Sequence, residues 1–103
     1  MEKVFPNKIR KIIQVHLEEE NFSVDDLTSE IGLSKTQLWR KIKAETGKSA
    51  NQFIREVRLK EAAKLIIESE YTASEVSYRA GFSSLSYFSK CFHDYFGYIP
   101  EEF

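Results

Sequence analysis

Three residues with base-reading chemistry, Thr36, Trp39 and Arg40, lie within five positions of one another, with Lys35 and Lys43 on either side. An arginine can bond bidentately to the O6 and N7 of a guanine, which discriminates by about 1–3 kcal/mol per well-formed pair. Trp39 can lay its ring on a thymine methyl or a sugar edge while its indole N–H donates, and Thr36 offers a hydroxyl to either partner of a base pair. The two lysines suit phosphates, which fix register and carry no sequence information. Fifty positions on, Ser86, Ser89, Lys90 and His93 form a second, less basic set. Ser34, Ser49, Ser83 and Ser84 stand where helices should begin, and there hydroxyl and backbone N–H donors suit phosphate. Helix capping alone accounts for these four serines equally well.

For either set to act, its residues must share one face of a helix. At about 100° per residue, and with Leu38 as zero, Ile42 falls near 40° and marks an inward stripe. Trp39 then falls near 100°, Lys43 near 140°, Thr36 near 160° and Arg40 near 200°, all on the outward side. Centred on Phe88, the same construction buries Cys91, Phe92 and Tyr95 and turns Ser86, Ser89, Lys90 and His93 outward.

The two helices are copies of one unit. Ser34, Leu38, Ile42, Gly47 and Phe53 are answered at a spacing of fifty by Ser84, Phe88, Phe92, Gly97 and Phe103. Asp26-Leu27 and Ile31-Gly32-Leu33 are answered at forty-nine by Glu75-Val76 and Ala80-Gly81-Phe82, so the slip falls near Ser83. A repeat of this length implies a supersecondary unit used twice. Each copy reads short helix, glycine turn, longer helix.

Punctuation sets the remaining boundaries. A first amphipathic helix after Pro6-Asn7 carries Ile9, Ile12, Ile13 and Leu17 and is expected to end near Glu20-Asn21. Ser23 with Asp26, Ser34 with Gln37, Ser49 with Gln52 and Thr72 with Glu75 have capping-box spacing. Gly47 is placed for a left-handed helix end. A connector from 49 to about 70 has the apolar stripe Phe53, Val57, Leu59, Ala62, Ala63, Ile66 and Ile67, and Pro100 opens a last turn. The expected fold is all-α: two helix-turn-helix subdomains, 8–48 and 71–103, joined by a long connector helix, 49–70, with about seven helices in all.

Composition agrees with a folded helical chain. A hydrophobic fraction of 42% with eight Phe, five Tyr and one Trp excludes a disordered segment, and four Gly with two Pro leave little room for sheet turns. No run is apolar enough for a bilayer, and the single cysteine, Cys91, suits a reducing compartment, so a cytoplasmic location without membrane contact is expected. Charge is segregated although the net is −1. From 18 to 30 there are six acids and no bases; from 34 to 64 there are nine bases and three acids. Local fields near a surface, and not the total, govern contact with a charged partner.

Other chemistry is thin. His16 and His93 are far apart and there is one cysteine, so no metal spacing exists, and no cofactor is expected. His16 reads as half-buried helix surface and Cys91 as an inert core residue. No nucleophile-base pair or glycine-rich phosphate loop is present, which excludes the common enzyme classes. A helical protein-interaction module, docking a partner through the acidic stretch or the basic connector, is the alternative to nucleic acid. Geometry favours the latter: about twenty connector residues span about 30 Å, against about 34 Å between successive major-groove segments on one side of B-DNA. One monomer could place both helices on one duplex, with a modest bend.

The motifs Ile31-Gly32-Leu33-Ser34, Leu38-Trp39-Arg40, Gly47-Lys48-Ser49, Phe53-Ile54-Arg55 and Arg58-Leu59 carry a family resemblance. So do Gly81-Phe82, Ser86-Tyr87-Phe88-Ser89-Lys90, Phe92, Phe96-Gly97 and Pro100 in the second half. From about Ile9 to Phe103 the chain resembles the DNA-binding domain of the AraC/XylS family of bacterial transcription regulators. The resemblance implies base contacts from Thr36, Trp39, Arg40, Ser86, Tyr87 and Lys90, double-stranded DNA as partner, and activation through RNA polymerase; Tyr87, on the flank of the wheel, reads from position alone as a half-buried phosphate or sugar contact. It also implies a sensor or dimerisation domain outside these residues. Phe22-Ser23-Val24-Asp25 and Leu38-Trp39-Arg40-Lys41 resemble the version found in hybrid two-component regulators. Ala50 stands where the family commonly has proline, and Thr28 and Ser77 where a small residue is usual inside the first helix of each motif. With only Lys90 and His93 as potentially cationic side chains on the second recognition helix, the second unit is expected to contribute less to specificity than the first.

Overall fold

The computed structural model describes residues 4–103, and among them it contains six α-helices, one 3-10 turn and no strand. The helices are α1 (Val4–Val15), α2 (Val24–Ile31), α3 (Lys35–Thr46), α4 (Ala50–Glu68), α5 (Ala73–Arg79) and α6 (Leu85–Phe96), followed by a 3-10 turn at Pro100–Glu102. The expected helix order and all-α class hold. The chain divides into two units, and α4 is shared at Val57/Arg58. The expected long helix between the two helix-turn-helix motifs is thus present as α4, and each half of it closes a different core.

The first unit comprises the residues up to His16 together with Phe22–Val57. Its core joins Ile9 and Ile13 of α1, Leu27 of α2, Leu38 and Ile42 of α3, and Phe53, Ile54 and Val57 of α4. These residues recur at helical spacing on α1 and α3, so burying one stripe of each leaves the opposite face in water. Capping boxes start α2 and α3, with Ser23 paired to Asp26 and Ser34 to Gln37. Gly32 and Gly47 end these helices at φ of 76° and 75°, a left-handed conformation that glycine adopts without a Cβ clash.

The second unit comprises Leu17–Asn21 and Arg58–Phe103. Leu59 and Ala62 of α4, Val76 of α5, Ala80 at its end, Phe82, and Phe88 and Phe92 of α6 form its core. Phe88 meets Phe92 edge-on at 5.6 Å and Phe82 at 5.0 Å, and Phe103 closes on Phe92 at 5.1 Å. Such tilted rings add specific attraction to the apolar burial. Thr72 and Glu75 form the capping box of α5.

Four expectations need correction. α1 stops at Val15, not near Glu20-Asn21, because the carbonyls of Leu17 and Glu19 accept hydrogen bonds from the Arg58 guanidinium at 2.6 and 3.0 Å. A helix continuing to residue 21 would consume the first of these in its own ladder. α4 ends at Glu68, and Ile67 is 70% exposed, off the buried stripe; Ile54 is buried instead. Tyr95 is exposed at 38%, and Phe96 packs in its stead, 4.6 Å from Phe92 and 5.2 Å from Phe103. Arg58, one of the nine bases counted from 34 to 64, is 6% exposed.

Candidate nucleic-acid interface

In the first unit, burial of Leu38 and Ile42 forces the other side of α3 outward. Lys35, Thr36, Trp39, Arg40 and Lys43 are all exposed there. Trp39 is 49% exposed, a large share for an indole. The Lys35 ammonium lies 5.4 Å from the Trp39 ring centroid and 3.6 Å from Oδ1 of Asp25. The lysine thus bridges an α2 carboxylate and the face of the indole. Lys43 Nζ donates to the Gly47 carbonyl at 3.0 Å, where a cation meets the negative end of the helix.

The serines at the helix starts perform capping. Ser34 Oγ accepts from the Gln37 amide at 3.2 Å while Gln37 Oε1 accepts from the Ser34 amide at 2.9 Å. Ser49 Oγ accepts from the Gln52 amide at 3.1 Å. Both serines remain exposed.

In the second unit, burial of Phe88 and Phe92 turns Ser86, Tyr87, Lys90 and His93 to solvent, with Ser83 and Ser84 at the start of the helix. Ser84 Oγ caps the Tyr87 amide at 3.1 Å, and its carbonyl accepts from the buried Ser77 hydroxyl at 3.3 Å. Ser89 is half-buried. The Tyr87 ring leans on Phe82 at 5.9 Å yet is 46% exposed. Lys90 and His93 both face Asp94, whose oxygens lie 3.6 Å from Lys90 Nζ and 4.0 Å from His93 Nδ1. Neither Asp94 nor Asp25 is among the site residues expected from the sequence. The signal for the former is its position four residues after Lys90; the latter reaches Lys35 only across the α2–α3 turn.

The basic stretch from 34 to 64 is less free than its count implies. Lys48 pairs with Glu56, and Lys64 lies 3.6 Å from Glu61. Arg58 donates to three backbone carbonyls, those of Leu17, Glu19 and Ala80. Burial pushes its guanidinium below its ordinary pKa, and the nearby Glu19 carboxylate acts in the opposite direction. His16 is half-buried as expected, stacked on Phe22 at 4.4 Å with Nε2 2.8 Å from Glu30 Oε1. Cys91 is half-buried. Among the described residues no cluster of His, Cys, Asp or Glu could hold a metal ion, and no helix is long and apolar enough to cross a membrane.

Comparison with known proteins matches residues 27–103 to the family model described as a helix-turn-helix domain. Over 96 residues, 93% of this chain, the sequence is 42% identical to histidine kinase P4 of Formosa agariphila, and the match spans 7% of that protein's length. A transcriptional regulator of Chromobacterium violaceum, an AraC-type DNA-binding domain-containing protein, superposes with TM-score 0.85 at 27% identity, covering 93% of this chain and 85% of the other. The DNA-binding domain of AdpA, a global transcriptional factor solved with a target DNA, superposes with TM-score 0.84 at 26% identity, covering 94% and 86%.

Proposed function

The chain belongs to the AraC-type helix-turn-helix family of DNA-binding transcription regulators, and from that premise we propose that it reads double-stranded DNA as a monomer through the outward faces of α3 and α6. The observation that carries this reading is the solvent exposure of Thr36, Trp39 and Arg40 on a helix whose other face, Leu38 and Ile42, is fully packed. In it Thr36, Trp39, Arg40, Ser86, Tyr87 and Lys90 meet base edges. Ser34, Lys35, Lys43, Ser49, Ser83, Ser84, Ser89 and His93 meet phosphates.

The two recognition helices enter successive major-groove segments. The unbroken helix Ala50–Glu68 supports this mode, since its 19 residues rise about 28 Å at 1.5 Å each, close to one duplex turn. The duplex takes up the difference by bending toward the protein, at a cost of order 1–6 kcal/mol. The chain spans 7% of the length of its histidine kinase relative; in the proposed reading a sensing segment of a parent protein governs this domain, which activates transcription by contact with RNA polymerase.

Gel retardation across a salt series tests the reading. Neutralising Z phosphates gives a log–log slope near −0.9Z. Retarded duplex that is lost steeply as salt rises is the expected result. A chain that shifts no duplex at about 50 mM salt contradicts it and returns the case to a protein-interaction module.

A further inference from the structure

The carboxylate of Asp94 has no local reason to be where it is. It lies in the last turn of α6, where the negative end of the helix opposes an acid, and it follows Lys90 by four residues, the weaker order for an ion pair on a helix. It caps no helix start, and its side chain is 64% exposed. What it does is face both potential cations of the second outward surface at once, Oδ2 toward Lys90 Nζ at 3.6 Å and Oδ1 toward His93 Nδ1 at 4.0 Å.

We infer that Asp94 is a specificity-determining residue of α6, one that weakens the attraction of Lys90 and His93 for the phosphate backbone so that the helix binds firmly only where base edges replace the lost ion pair. This inference rests on the proposed DNA reading. A phosphate approaching Lys90 or His93 meets a carboxylate within 4.0 Å of either side chain, and the repulsion of that carboxylate offsets the attraction of the donor. A matching groove edge does not repel. A guanine offers O6 and N7 to Lys90, and a cytosine N4 amine donates to the carboxylate that Lys90 has released. The first unit lacks this arrangement on Arg40: Asp25 there faces Lys35, on a neighbouring helix. Among the described residues, α6 therefore carries a counter-charge on its base-reading lysine, and α3 carries none on its arginine.

The test compares the unmodified chain with Asp94→Asn and with Glu68→Gln, an equal charge change at the exposed end of α4, on a selected site and on random duplex. Salt-dependent retention of duplex by the unmodified chain tests the DNA reading by itself; if there is none, both that reading and this inference fall. Given retention, Asp94→Asn should tighten binding to random duplex several-fold, steepen the salt slope by up to about 0.9, and lower the ratio of selected to random affinity. Glu68→Gln should leave that ratio unchanged. An Asp94→Asn chain that gains equally on both duplexes, gains on neither, or matches Glu68→Gln overturns the inference while leaving the DNA reading intact. Asp94 is exposed and outside both cores, so the variant folds.

Discussion

The guanidinium of Arg58 occupies the space that a side chain at Gly81 would need. A Cβ on residue 81 would lie 1.5 Å from Arg58 Nη1 and 2.3 Å from the Leu17 carbonyl oxygen, and Gly81 itself holds φ of +82°. The turn between α5 and α6 is thus shaped by a cation from α4. Gly81→Ala should therefore cost about 2–4 kcal/mol, from left-handed strain together with displacement of the arginine from its carbonyls. Urea denaturation followed by circular dichroism measures it; a midpoint equal to that of the unmodified chain would show that the turn relaxes freely.

Arg58→Met keeps the length of the stem and removes every donor, leaving the Leu17, Glu19 and Ala80 carbonyls short of their partner. A loss of about 2–4 kcal/mol is expected in the same assay. Arg55→Met, an exposed change three residues earlier on α4, should stay within about 0.5 kcal/mol.

Arg40→Ala should weaken binding to a selected site by about 1–3 kcal/mol and leave random duplex nearly unaffected. Fluorescence anisotropy on both duplexes reads the difference. An equal loss on both would reassign Arg40 from base edge to backbone.

Lys43→Met should weaken binding on all sequences alike and make the salt slope shallower by about 0.9, as expected when one phosphate is no longer neutralised. Its present bond to the Gly47 carbonyl adds a small loss in stability. A change in sequence preference would place Lys43 in the groove.

Ser34 has two roles to separate. Ser34→Gly should cost only a few tenths of a kcal/mol in stability, against about 1 kcal/mol for Ser34→Ala, because glycine leaves the helix start open to water. If Ser34 also meets phosphate, both variants lose duplex affinity to the same extent. Affinity that tracks stability instead would make it a cap alone.

The residues that made the fold legible are those whose physics is local. Capping pairs such as Ser34 with Gln37 and Thr72 with Glu75 mark helix starts by spacing alone, and the stripes Ile9/Ile13 and Leu38/Ile42 mark the inward faces. The outward placement of Trp39 and Arg40 follows from those stripes. What was not legible depends on partners distant in the chain. Nothing near Leu17 announces that a guanidinium from residue 58 ends α1, and the helical wheel that buries Tyr95 does not include the ring of Phe103, which draws Phe96 inward. The apolar run on α4 also misled at Ile67, because that helix changes the core it serves partway along its length.

Chemical protection of guanine N7 on a duplex recovered by selection tests the central claim most directly, since N7 lies on the floor of the major groove. With one chain per duplex, the account predicts two protected patches on one side of the DNA, centred about 10 base pairs apart. Trp39→Ala should erase one patch and Tyr87→Ala the other. A single patch, or two that vanish together with either variant, would contradict reading by α3 and α6 as separate elements.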